Sequence, residues 1–162
     1  MINVSDEFKQ LMTERQDFKC NAEVTLANGT VLPLGEDDFS IDNNSLVDAA
    51  GANTIPLGVA LSRNVQLEIM NDDDHLSNYD FFGAKIRLYI TFELSETTEK
   101  IEYGTFTVTQ PEGYGNVVTI VGYDDMYKAD KAYSTTLTFP ATAKSVLIDS
   151  CDTCGILIGN SN

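Results

Sequence analysis

The sequence predicts a mainly β fold of the α+β class: an antiparallel, β-barrel-like domain with a short N-terminal helix and a C-terminal helix. Apolar and polar residues alternate over several short segments, and turn residues separate these segments as far as about residue 124. Helical periodicity is confined to the two ends of the chain. We expect the barrel-like domain over residues 1–135 and the start of a following helical or α+β subdomain, truncated, over residues 136–162.

Residues 3–15 are predicted to form a short amphipathic helix. Asn3 or Ser5 can cap it, and acidic residues occupy its first turn, where they complement the helix dipole. Its apolar residues share one face: Val4, Phe8, Leu11 and Met12. We expect this apolar face to need a partner outside the domain.

A β-hairpin is predicted where Asn28-Gly29 separates the apolar runs 18–26 and 30–34, because this dipeptide favours a two-residue hairpin turn. Residues 35–58 are polar and rich in turn residues, with one possible strand at 38–41. We expect a long loop there, and a long loop in a compact domain commonly serves function or assembly.

Two further segments alternate with the period of a half-buried strand. Residues 63–70 place Val65, Leu67 and Ile69 on one face, and residues 84–94 alternate in the same way. We expect the edge of the strand at 86–94 to be exposed. Two more strands are predicted at 101–110 and 116–123, joined by a turn at Pro111-Glu112-Gly113.

The C-terminal helix is predicted from Thr142, which can act as its N-cap, to Gly155, which can end it. Leu147, Cys151 and Cys154 share one face at this spacing. The apolar run that begins at Ile156 suggests that the chain continues in its natural context.

Composition excludes several classes of function. The chain has 25 acidic and 10 basic residues in 162, a net charge of −15, and its basic residues do not cluster. Gripping nucleic acid or an anionic membrane requires clustered Lys and Arg, so neither partner is expected. The N-terminus "MINVSDEFKQ" lacks the features of a signal peptide, and no apolar run is long enough for a membrane helix.

No metal site or cofactor is expected. Cys151 and Cys154 form a C-x-x-C pair, but a structural zinc site needs two further ligands, and neither Cys20 nor His75 has motif spacing. Packing as small apolar side chains is favoured for the cysteines. The consecutive residues 72–74 are three aspartates, which cannot converge on one ion as alternating calcium ligands do, so a solvated turn is favoured.

No catalytic residues are expected either. Asp37-Asp38 and Asp124-Asp125 are adjacent pairs, and adjacent side chains on extended backbone point apart. Nucleophile-elbow, phosphate-loop and dinucleotide motifs are absent from the sequence. We therefore expect a protein that is not an enzyme.

An ordered series of motifs runs between about residues 56 and 158. It contains a G-x-F-x-V strand, a G-Y-D-x-M turn and a D-x-x-Y stop: Gly104, Phe106, Val108; Gly122, Tyr123, Asp124, Met126; Asp130, Tyr133. A capped helix follows in "TFPATAKSVLIDSCDTCGI". This series resembles the N-terminal hub region of phage and prophage tail-associated proteins of Gram-positive hosts. These tail-tip or baseplate-hub proteins are similar in fold to the hubs of contractile tails.

The resemblance implies a barrel-like tube domain that assembles as a trimeric ring at the tail tip or baseplate. Such a ring continues the tail tube, contacts the distal tail protein and the tube or tape-measure protein, and anchors downstream domains directed at the host wall. The implied location is the virion tail, after synthesis in the host bacterial cytoplasm. A ring around a DNA channel also offers a hypothesis for the acidic charge, since a lumen lined by carboxylates repels phosphate. Lys85, Arg87 or Lys100 lining the lumen would contradict it.

The residues themselves give a structural interpretation of the G-Y-D turn. We expect Gly122 to let the chain reverse, Asp124 to bond the backbone beyond it, and Tyr123 to bury its ring. On this interpretation the turn joins a strand to a helical turn, and its residues need no catalytic role.

Two alternative functions remain open. A carbohydrate- or cell-wall-binding β module would display aromatic side chains, for which the candidates are Tyr79, Phe81, Phe82, Tyr89 and Tyr103. Packing in a core or interface is favoured for these. A glycoside hydrolase using carboxylate pairs is the third hypothesis.

Overall fold

A computed structural model describes residues 4–13, 19–48, 62–94, 97–132 and 134–156. Over these residues it confirms the mainly β prediction, with α-helices only near the two ends. The helices are α1 (Asp6–Thr13) and α2 (Ala143–Cys154). The strands are β1 (Lys19–Thr25), β2 (Val31–Leu34), β3 (Ser45–Asp48), β4 (Arg63–Met70), β5 (Lys85–Glu93), β6 (Thr98–Tyr114) and β7 (Val117–Tyr123). Short 3-10 turns cover Glu36–Asp38, His75–Asn78 and Asp125–Ala129.

The strands form one seven-stranded sheet in the order β2-β1-β5-β6-β7-β4-β3, and every pair of neighbours is antiparallel. Its two outer strands must approach each other. Leu34 ends β2, and Phe39, only five residues later, bridges to Ile69 on the far side of the sheet. Five residues span at most about 18 Å. The edges of a flat seven-stranded sheet would lie about 29 Å apart.

The sheet is therefore rolled, but its closure into a barrel is not seen. Within the described ranges, β2 and β3 do not pair with each other. The inner face of the rolled sheet carries the main core, to which six of the seven strands contribute buried side chains. Its largest fully buried members include Phe81, Phe106, Ile69, Ile86 and Ile120.

Helix α1 packs on one end of the inner face, so the expectation that its apolar face needs an outside partner is wrong for Phe8. The ring of Phe8 meets the edge of Phe92 with centroids 4.6 Å apart, beside Ile90 and Ile101. Ser5 caps the helix, because its Oγ accepts from the Phe8 N–H at 3.1 Å. Glu99 of β6 also holds Ser5 by two hydrogen bonds, of 3.0 and 2.5 Å.

The predicted hairpin is confirmed in β1 and β2, with a different turn. The Gly29 N–H donates to the Leu26 carbonyl at 2.9 Å, and the Leu26 N–H donates to the Thr30 carbonyl at 2.8 Å. The loop thus contains three residues rather than two, and Gly29 lies in the left-handed region with φ of 86°. This arrangement also requires glycine at that position, which explains why Asn-Gly indicated the hairpin correctly but not the turn type.

Three predictions about strands and loops need correction. The predicted loop at 35–58 contains strand β3, while the possible strand at 38–41 is only a single bridge at Phe39. Residues 49–58 of that loop lie outside the described residues. The edge of residues 86–94 is not exposed, because β5 pairs with β1 on one side and with β6 on the other.

The third correction concerns Pro111, which lies inside β6 rather than in a turn. β5 starts at Lys85, opposite Thr107, so β6 has only β7 as a strand partner at Pro111. One side of β6 is thus without a strand partner at Pro111, and a strand position of this kind tolerates proline. β6 runs on to Tyr114, and the chain turns at 115–116.

Helix α2 has the predicted limits. Thr142 Oγ1 accepts from the Ser145 N–H at 3.1 Å, and Gly155 ends the helix. None of its residues is buried, and Leu147 is 59% exposed. Its described contacts include the 3-10 turn Asp125–Ala129. The apolar residues beyond Ile156 lie outside the described residues. In the described ranges, neither helix has the length and apolar character that crossing a membrane requires.

Candidate functional site

The G-Y-D motif forms a hydrogen-bonded corner at the end of β7, which we call the Asp124 corner (residues 122–126). Asp124 Oδ1 accepts from the Met126 N–H at 3.1 Å and from Ser62 Oγ at 3.0 Å. The Asp124 N–H donates to the Arg63 carbonyl at 3.0 Å. The expected bond from Asp124 to the backbone beyond it is confirmed, and the corner joins β7 to a 3-10 turn.

Gly122 does not reverse the chain, contrary to expectation. It is an extended, buried residue of β7, opposite Val65 of β4. A Cβ at this position would lie 3.2 Å from the Phe106 Cβ and 3.3 Å from the Ile86 Cδ1. The glycine therefore provides space for the packed core, and Asp124 makes the corner. Tyr123 is half-buried and stacks on Tyr127 with ring centroids 4.8 Å apart.

The G-x-F-x-V motif lies in β6 next to a bulge. Tyr103 is the extra residue, because Gly104 pairs with Leu88 while Glu102 pairs with Tyr89. Gly104 has φ of 150°, which disfavours a side chain, and a Cβ there would lie 3.3 Å from Arg63 Nη1. Phe106 and Val108 are buried in the core. The motif thus combines a bulge with two core positions.

The cysteines and the histidine are not brought together. Cys151 and Cys154 line a groove beside α2, Cys20 lines a different groove, and His75 lies in an exposed turn. Partial burial of the thiol, with a smaller contribution from Glu36, raises the pKa of Cys20. Among the described residues, no three His, Cys, Asp or Glu side chains are placed to hold a metal ion.

The three consecutive aspartates form an exposed turn, as expected. Asp73 and the His75 ring form a short contact, which lowers the pKa of the Asp73 carboxyl. Asp74 accepts from the Ser77 hydroxyl, and its backbone is left-handed with φ of 60°. These carboxylates bond their own turn.

Carboxylates of the pairs Asp37-Asp38 and Asp124-Asp125 bind backbone N–H groups and a lysine. Asp38 Oδ2 accepts from the Gly35 N–H at 2.7 Å, and Asp124 forms the corner. Asp125 pairs with Lys128 at 2.6 Å. The described contacts of these carboxylates are therefore structural.

The five aromatic candidates occupy different environments. Phe81 is buried, and Tyr79 packs against the same core. Lys100 Nζ lies 3.6 Å from the centroid of the Tyr89 ring, a cation–π contact. Phe82 and Tyr103 are exposed, at 64% and 42%. Packing within the chain therefore accounts for Phe81, Tyr79 and Tyr89. The side chains of Phe82 and Tyr103 remain available for contact with a partner.

Two of the grooves in the described surface are lined mainly by apolar side chains. The first, of about 360 Å³, opens onto the inner face between β1 and β3, and its walls include Phe39, Leu46 and Leu88. The second, of about 260 Å³, separates α2 from the 3-10 turn Asp125–Ala129. We call the second the α2 groove.

The outer face of β1, β5 and β6 carries a charge ladder. Arg87 donates to Glu102 at 2.5 Å and lies 3.6 Å from Glu23. Lys19 pairs with Glu93 at 2.7 Å. Side chains of alternate residues on these strands point away from the core, so the ladder neutralises charge on one outer face of an otherwise acidic protein.

Comparisons with known proteins found no family model, curated protein or solved structure that matches this chain. The geometry of the chain itself is thus the basis for a functional proposal.

Proposed function

We propose that the chain is a structural component of a phage or prophage tail. In this proposal it forms part of the trimeric hub at the tail tip or baseplate, continues the tail tube and anchors downstream domains directed at the host wall. Its partners are further copies of itself, the distal tail protein and the tube or tape-measure protein.

One observation carries the proposal: motif residues on which the resemblance rests have structural roles in β6, β7 and the Asp124 corner. Phe106 and Val108 fill the core, Gly122 makes room for them, and Asp124 ties β7 to the start of β4. Core packing and backbone hydrogen bonds account for these motif residues. Such roles are what a scaffold protein needs, because its function is to keep a fixed shape.

Charge supports the same proposal. The net charge of −15 repels phosphate, as the wall of a DNA channel should. Lys85 and Arg87 lie on the outer face of β5, and Arg87 is neutralised by its acidic neighbours. The proposal therefore requires this face to be turned away from the lumen of the ring.

The test is the oligomeric state of the complete natural gene product. Mass photometry and electron-microscopy class averages should give a ring of three copies, and the distal tail protein should bind it.

Two further assays, sedimentation with purified cell walls and turnover of peptidoglycan, distinguish the hub proposal from the carbohydrate-binding module and the glycoside hydrolase. A monomer that binds walls and loses binding on Phe82→Ala would favour the carbohydrate module. Turnover lost on Asp124→Asn, with the fold kept, would favour the hydrolase.

A further inference from the structure

An isoleucine projects from an acidic stretch of the described surface. Ile41 follows the Phe39 bridge at the rim of the first groove, and it is 101% exposed. Residues 35–48 contain five acidic and no basic residues. A fully exposed isoleucine in an acidic segment of the sequence resembles the anchor of an interface more than part of a core.

The α2 groove offers a complementary surface elsewhere on the molecule. Its walls are apolar and include Met126, Leu147, Cys151 and Cys154, and Lys131 contributes a positive charge to its lining. Lys128 lies beside it, with Nζ 3.5 Å from the Gly155 carbonyl. No residue of α2 is buried, and Leu147 and Ile148 are 59% and 39% exposed, so part of its apolar side is uncovered within the described chain.

We infer that Ile41 of one copy inserts into the α2 groove of the next copy. Two observations favour the α2 groove over the first groove. The first groove is lined by Ile41 itself and by Glu36, which would repel an acidic segment, whereas the lining of the α2 groove has Lys131 and no acidic residue. An anchor and a groove at different places on one subunit make a head-to-tail contact, which closes into a ring when the rotation permits. The inference rests on the proposed hub function and names the surfaces that join its subunits.

The cysteines of the groove provide a direct test. In the complete gene product, Ile41→Cys is combined with Cys20→Ser and oxidised with copper–phenanthroline, which accepts the two electrons released as two thiols form a disulfide. Disulfide-linked multimers should appear, and peptide mass spectrometry should join position 41 to Cys151 or Cys154. Val31→Cys, at an exposed position of β2, is the matched control and should give no such link.

A second experiment measures ring formation by single variants in which all native cysteines are kept. Ile41→Ser should weaken ring formation about tenfold or more, because an apolar anchor is lost, and should leave the circular dichroism spectrum unchanged. Lys131→Glu should weaken it as well. An intact ring that neither forms the disulfide nor responds to Ile41→Ser would overturn the inference while leaving the hub proposal standing. Failure of the wild type to form any ring would count against both.

Discussion

Arg63 Nη1 donates a hydrogen bond of 2.6 Å to the carbonyl oxygen of Tyr103. Arg63 begins β4 and Tyr103 lies in β6, and these strands are separated in the sheet by β7. The hydrogen bond therefore crosses β7, and its acceptor is the bulge residue Tyr103. The guanidinium also lies 5.8 Å from the centroid of the Phe106 ring.

Replacing Arg63 should loosen this end of the sheet. Arg63→Met removes a charged donor from the Tyr103 carbonyl, and we expect the free energy of unfolding to fall by about 1–2 kcal/mol. Urea denaturation measures the change. Lys144→Met, which removes one positive charge from α2, is the control and should stay within about 0.5 kcal/mol of the wild type. Equal losses in both variants would refute a specific role for the Arg63 bond.

Gly122 should not tolerate a side chain. In Gly122→Ala the new Cβ would approach the Phe106 Cβ and the Thr107 carbonyl, both at 3.2 Å, so we expect a loss of about 1–3 kcal/mol. Gly115→Ala is the matched control, because no atom lies within 4 Å of a Cβ at Gly115. Thermal unfolding of the two variants makes the comparison. A Gly122→Ala protein as stable as the control would contradict the packing described for the motif.

Phe8 should hold α1 on the sheet. The side chain is 7% exposed and packs against Phe92, so Phe8→Ala should lower the free energy of unfolding by about 3 kcal/mol. It should also make the N-terminal helix accessible to limited proteolysis. Met12→Ala, on the same helix but 55% exposed, should change either quantity little. Similar cleavage of Phe8→Ala and wild type would indicate that α1 is held by other contacts.

Stability should depend on pH through the exposed pair of Lys19 and Glu93. The hydrogen bond from Lys19 lowers the pKa of the Glu93 carboxyl below its ordinary value of 4.5. A carboxyl with a lowered pKa in the folded state contributes stability above its unfolded pKa, and this contribution is lost as pH falls through the folded value. The difference in Tm between wild type and Lys19→Met should therefore be present at pH 7 and vanish in acid.

Salt and a second variant check the cause. Both side chains are solvent-exposed, so 1 M NaCl should reduce the difference in Tm at pH 7. Glu93→Gln should abolish the effect of Lys19→Met, because the partner charge is gone. A difference that persists at pH 2 would have to come from something other than this ion pair.

Local patterns were sufficient to predict most of the strands and both helices. Alternation placed Val65, Leu67 and Ile69 inward, and the Thr142 and Gly155 signals set the limits of α2. The sequence also predicted the bond made by Asp124, because an aspartate after a strand commonly accepts from backbone two residues on.

The errors came from interactions between distant residues. Strand β3 is four residues long and polar at both ends, so only its pairing with β4 defines it. Pro111 suggested a turn, and it is tolerated in β6 because β5 starts opposite Thr107. The roles of Gly122 and Arg63 depend on backbone and side-chain atoms of other strands. The sequence did hold one signal for close packing: in β7, glycine occupies position 122, the next inward position after Val118 and Ile120.

We propose that this chain is a scaffold within a phage tail, and immunogold labelling of tail particles tests this proposal most directly. An antibody raised against the 162-residue chain is applied to particles released from the host strain and viewed by negative-stain electron microscopy. We expect gold at the tail tip or baseplate of intact particles. Particles with unlabelled tails, and antigen recovered only from the cell-wall or soluble fraction, would contradict the account.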